Sequence, residues 1–83
     1  MFKATVIIKR RPSILDPQGK AVEHGAKLLG FNNIDQTRIG KYIEFFVNVD
    51  EKTTAVKEVE EYCNKLLANP IMEDYYYDLE EIK

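Results

Sequence analysis

The run from Ile34 to Val49 constrains the fold more than any other stretch. Ile43, Phe45, Val47 and Val49 share one face of an extended strand, and Tyr42, Glu44, Phe46 and Asn48 share the other. Read backward, the alternation strains, because Lys41 joins the apolar face beside Ile39 and Ile43. A straight strand of that length spans about 50 Å. A compact chain of 83 residues has a radius of gyration of about 12 Å. The strand is therefore expected to bend, bulge or turn at Gly40, unless it crosses into the sheet of a second chain.

Four further segments surround this run. Phe2, Ala4, Val6 and Ile8 alternate with Lys3, Thr5, Ile7 and Lys9, which predicts a strand ended by Pro12. Asp16-Pro17 predicts a helix start: the carboxylate caps free N–H groups and the proline fits the first helical position. Ala21, Val22, Gly25, Leu28 and Leu29 form the apolar stripe of this helix, and Gly30 ends it. A second helix is expected from Thr53 to Ala68, with Val56, Val59, Cys63, Leu66 and Leu67 as its stripe and Asn69-Pro70 after it. A last strand covers Met72 to Ile82, with Tyr75, Tyr77 and Leu79 on one face and Asp74, Tyr76, Asp78 and Glu80 on the other.

The order is strand, helix, strand, helix, strand. Both helices are apolar on one side, so the expected fold is a two-layer α+β sandwich. It is a single domain over residues 1–83, with a small, mainly antiparallel sheet and both helices on one of its faces. A true turn at Gly40 would give a ferredoxin-like alternative. In either case Tyr42, Phe46 and Tyr76 lie on the other sheet face, and three aromatics there mark them as a candidate oligomer interface.

A chain this short has a thin core. One cysteine, Cys63, forms no intrachain disulfide, and one histidine, His24, has no metal-ligand company. Self-association, as a homodimer or homotetramer, is the expected source of extra burial. The lone cysteine and the absence of a signal-peptide pattern point to a cytoplasmic setting. No apolar run approaches the ~20 residues of a membrane span. A net charge of −2 argues against nucleic acid as a partner. The signs are uneven: Lys3, Lys9, Arg10 and Arg11 open the chain, while Glu73, Asp74, Asp78, Glu80 and Glu81 close it. The bland reading is two solvated faces; the sharper one pairs the two ends.

No catalytic constellation is visible. Cys63 falls on a helix stripe and reads as core. His24 lies beside the other stripe, Ser13 precedes a helix with no base to serve it, and the adjacent carboxylates point apart. Arg38-Ile39-Gly40-Lys41 brings two cations to a glycine, but a strand follows where a phosphate grip wants a helix. It reads better as a bend presenting Arg38 and Lys41 to a partner.

The strings ILDPQGKAVEHGAKLLGF, RIGKYIEF and CNKLLANPIMEDYYYDLE, in that order and spacing, resemble the PurS family. These are small subunits of phosphoribosylformylglycinamidine synthase. The resemblance implies a non-catalytic chain that bridges a glutaminase subunit and a large ATP-dependent synthetase subunit and assists ammonia transfer between them. It implies no cofactor in this chain, with ATP and Mg used by the complex, which acts in purine biosynthesis as a glutamine-dependent carbon–nitrogen ligase. The candidate partner contacts are Asp16, Pro17, Gln18 and Gly19, together with Arg38, Gly40 and Lys41. The alternative is a homo-oligomeric ferredoxin-like regulatory domain binding a small metabolite between chains. An RNA-binding domain fits worse, since Tyr75 to Tyr77 sit among acids.

Overall fold

A computed structural model describes residues 1–83. Three strands, β1 (Phe2–Arg10), β2 (Lys41–Val47) and β3 (Glu73–Glu81), form one sheet in the order β2-β1-β3. Both pairings are antiparallel, with Val6 opposite Ile43 on one side and Tyr77 on the other. The central strand is the one with the cleanest alternation: Phe2, Ala4, Val6 and Ile8 are all buried on one face.

Helix α2 (Lys52–Tyr62) covers that face and continues into a π turn over Cys63–Leu67. Ala55, Val59 and Cys63 meet the buried residues of β1, and Ile43, Phe45, Tyr75, Tyr77 and Leu79 flank them. Full burial of a side chain such as Val6, Ile8 or Val59 contributes about 1.5–3 kcal/mol. An exposed ion pair such as Lys3–Glu44, at 2.8 Å on the opposite face, contributes about 0–1 kcal/mol. The α2 side of the sheet therefore holds the fold together.

The sequence expectation for α2 needs one correction. The π turn closes with Ala68 N–H donating to Cys63 O at 2.9 Å, five residues apart where an α-helix spans four. The added residue shifts the phase of the stripe. Leu66, expected inside, is exposed, and Ala68 takes the buried place. Asn69 then turns the chain: its Oδ1 accepts from Ile71 N–H, and Glu73 Oε1 accepts from Asn69 N–H.

Helix α1 (Pro17–Leu28) starts and stops where the sequence indicates. Asp16 is its N-cap and Pro17 its first residue. At its end Gly30 takes φ +94°, its N–H reaches Lys27 O, and Phe31 N–H reaches Ala26 O. That is a Schellman closure. The packing of α1 differs from expectation. It does not lie on the sheet beside α2. Its buried residues are Gly19 and Glu23, whereas Val22, Leu28 and Leu29 of its apolar stripe are 53%, 75% and 80% exposed. The radius of gyration is 16.6 Å and the molecule measures 51 × 28 × 14 Å. The chain is a sheet covered by one helix, with a second helix set to the side.

The long middle strand is also corrected. β2 has seven residues, and residues 31–40 before it carry no strand. Gly40 lies just outside β2 and is neither an interior bulge nor the turn of a hairpin. Its role is close approach. A Cβ there would stand 2.7 Å from Ile8 O, too near for any other residue without displacing the β1 backbone.

The two oppositely charged ends of the chain meet within it. The β1–β3 register sets Lys3 opposite Glu80 and Lys9 opposite Asp74, and Arg11 Nε lies 3.1 Å from Asp74 Oδ1.

Candidate functional site

Asp16 is the centre of the candidate site. Its Oδ1 accepts from Gly19 N–H at 3.0 Å, which caps α1. Its Oδ2 accepts from Ile39 N–H at 2.7 Å, which holds the segment before β2. One buried carboxylate thus joins two stretches more than twenty residues apart in sequence. These N–H groups, Gly19 first and Ile39 second, hold its pKa below the ordinary carboxylate value, helped by the nearby Arg38 and Arg10 charges.

Other contacts tighten the same junction. Arg38 Nη2 donates to Arg11 O at 2.9 Å and to Ile14 O at 2.7 Å. Glu23 Oε2 accepts from Thr37 N–H at 3.5 Å. Gly19 lies under the Thr37 carbonyl so closely that a Cβ would collide with that oxygen. The segments Asp16–Gly19 and Arg38–Lys41, singled out separately in the sequence, therefore form one surface. Arg38 serves first as an internal tie. Lys41, Pro17 and Gln18 are exposed.

Beside this junction lies an open groove of about 930 Å³. Lys9, Arg10, Lys20 and Lys41 line it together with Tyr42 and Tyr76 of the open sheet face. Phe46 is not among its walls; it borders a separate recess near Tyr62 and Leu66. The sequence reading missed Lys20 and Glu23 as members of the site. The available signal was spacing: Lys20 is one helical turn after Asp16, and Glu23 a further turn on the same side.

Catalytic candidates do not gather here. Cys63 is buried in the core, where loss of solvent pushes its thiol pKa up, with Glu60 adding to the rise. His24 is exposed on α1. No group of three or more His, Cys, Asp or Glu side chains is placed to hold a metal ion.

These features define a class: a small α+β module, a three-stranded antiparallel sheet with two helices, whose distinctive surface is a tied loop beside a cationic groove. The family model for PurS, described as phosphoribosylformylglycinamidine (FGAM) synthase, matches residues 3–81. The chain is 42% identical to subunit PurS of Bacillus subtilis phosphoribosylformylglycinamidine synthase, covering 99% of this chain and 96% of that one. It is 40% identical to the Methanocaldococcus jannaschii subunit over the full length of both. The chain therefore belongs to the PurS family. The solved B. subtilis PurS structure superposes with a TM-score of 0.87 at 42% identity, covering 98% of this chain and all of that one. A Thermotoga maritima structure described as PurLQS superposes with a TM-score of 0.81 at 26% identity, covering 96% of this chain and 99% of that one.

Proposed function

We propose that this chain is the small subunit of a phosphoribosylformylglycinamidine synthase complex in purine biosynthesis, and that it acts by docking rather than by bond-making. The observation that carries this is the family match over residues 3–81, which agrees with a cysteine held in the core rather than in a reactive site. In this reading the chain bridges a glutaminase subunit and a large synthetase subunit. Ammonia released into water is protonated and ceases to be a nucleophile, so a docked subunit that shields its path has chemical value. In this reading ATP and magnesium belong to the large subunit. The reading includes a cytoplasmic setting. Separately, no helix is long and apolar enough to cross a membrane.

The docking surface is the joined patch of Asp16–Gly19, Gly40 and Lys41, shaped by the Arg38 tie. Self-association as a dimer or tetramer covers the open sheet face with Tyr42, Phe46 and Tyr76, all of them exposed in the single chain.

The test measures formylglycinamidine ribonucleotide formation by the matching large and glutaminase subunits, with glutamine or high ammonium, with and without this chain. The chain is expected to be required with glutamine and dispensable with ammonium. Lys41→Ala is expected to weaken co-elution with the partners at unchanged melting temperature. A chain that changes neither rate would overturn the reading.

A further inference from the structure

We propose that the groove beside the Asp16 junction is a binding site for a phosphate-bearing small anion, of the size of a nucleoside diphosphate or a sugar phosphate. This goes beyond the docking role and does not rest on it. The argument begins with charge. Lys9, Arg10, Lys20 and Lys41 all line one concavity. None of them enters a close ion pair; the pairs in the molecule are Lys3–Glu44, Arg11–Asp74 and Lys65–Glu61, while Lys9 Nζ lies 5.8 Å from the centre of the Tyr76 ring and Arg10 is near enough to Asp16 to favour its charged form. Arg38 lines the same groove with its Nη2 held by carbonyls.

The groove also contains Asp16, Glu23 and Asp74, yet each is engaged within the chain. Asp16 accepts two backbone N–H groups, Glu23 meets Thr37 N–H, and Asp74 meets Arg11. In a chain with net charge −2, five cations, Arg38 included, thus face three carboxylates in one recess, an excess of positive charge whose common field a concave wall strengthens. Their mutual repulsion is relieved by an anion that meets several at once.

The class of anion follows from size and lining. A groove of about 930 Å³ lined by five cations beside Tyr42 and Tyr76 suits an anionic ligand with room for more than its charged group. A phosphate group brings about −1.5 to −2 charge and three acceptor oxygens, enough to engage more than one cation. A single carboxylate brings less charge and two oxygens. The helix α1 N-terminus takes no part, because Asp16 already caps it.

The test is calorimetric titration of the full chain with ADP, ribose 5-phosphate and inorganic phosphate, each competed against the others. Saturable binding at one ligand per chain is expected. Tighter binding of ADP identifies a nucleotide, and tighter binding of ribose 5-phosphate a sugar phosphate; both support the proposal. Lys20→Gln and Lys41→Gln, both exposed side chains, are each expected to weaken binding roughly three- to tenfold. Lys57→Gln on α2, remote from the groove lining, is expected to leave it unchanged. Absence of saturable binding, equal effects of all three substitutions, or tighter binding of a hexaglutamate peptide than of any phosphate would each overturn the proposal.

Discussion

Asp16 shows how one side chain does two jobs that the sequence presents as separate. As an N-cap it is legible from the Asp-Pro pair alone. Its second bond, to Ile39 N–H, joins residues distant in sequence, and no local rule anticipates it. Gly19 and Gly40 are similar. Gly40, in a strand pattern, reads as a bend, and Gly19 reads as part of a helix start, but both let backbones approach, Gly19 at Thr37 and Gly40 at Ile8. The depressed pKa of Asp16 has a consequence with a definite sign. Its ionised form is favoured in the folded state by the Gly19 and Ile39 N–H groups. The stabilisation is therefore complete above the unfolded carboxylate pKa of about 3.9 and is lost as pH falls through the lower folded value. Asp16→Asn retains one acceptor and loses the charge. Its melting temperature is expected to lie on the order of 5 °C below wild type at neutral pH. Thermal melts across pH 6 to pH 2 should show that gap closing in acid. A gap that stays constant would mean that the charge is irrelevant to the junction.

At the scale of elements, existence and type were legible while packing was not. The period-two pattern of β1 and the capped ends of α1 are local signals, and the structure follows them. The π turn at Cys63–Leu67 is not a propensity effect, so the exposure of Leu66 lay outside what periodicity can tell. One link between α2 and β3 is open to direct measurement. Tyr77 O–H donates to Glu60 Oε2 at 2.7 Å. That bond, followed by partial loss of solvent, pushes the phenol pKa up to about 12. The protonated form is the one the fold favours. Its contribution is complete below the ordinary tyrosine value near 10 and is lost as pH rises through the folded value. Ultraviolet titration of the five tyrosines is expected to show a late phenolate step that disappears in Tyr77→Phe. In Glu60→Gln that step should move to lower pH, since the carboxylate acceptor is gone. A late step that persists in Tyr77→Phe would assign it to another tyrosine, with Tyr75, also raised by burial, the first candidate.

The whole molecule is where the sequence reading met its largest correction, and the correction bears on assembly. Two apolar-faced helices and one sheet imply a closed sandwich if the chain must bury its own stripes. Here α1 leaves Val22, Leu28 and Leu29 exposed, and Phe31 and Ile34 beyond it are exposed as well. The open sheet face adds Ile7 and the three aromatics Tyr42, Phe46 and Tyr76. A single chain of 9.7 kDa with a radius of gyration of 16.6 Å, against about 12 Å for a compact chain of its length, has left much of its burial to be made elsewhere. The rule linking amphipathic stripes to a core predicts that these stripes meet a second chain. Sedimentation equilibrium at micromolar concentration is therefore expected to give at least twice the chain mass. Phe46→Glu places a charge on the open face, and Leu28→Glu places one on the helix set to the side. Neither position is buried in the single chain, so both variants should keep the fold while shifting mass toward the monomer. The comparison separates the faces: a shift with Phe46→Glu alone assigns the contact to the sheet, and a shift with Leu28→Glu alone assigns it to α1. A wild-type chain that sediments as a monomer would end the argument for self-association and leave both apolar faces to the partner subunits.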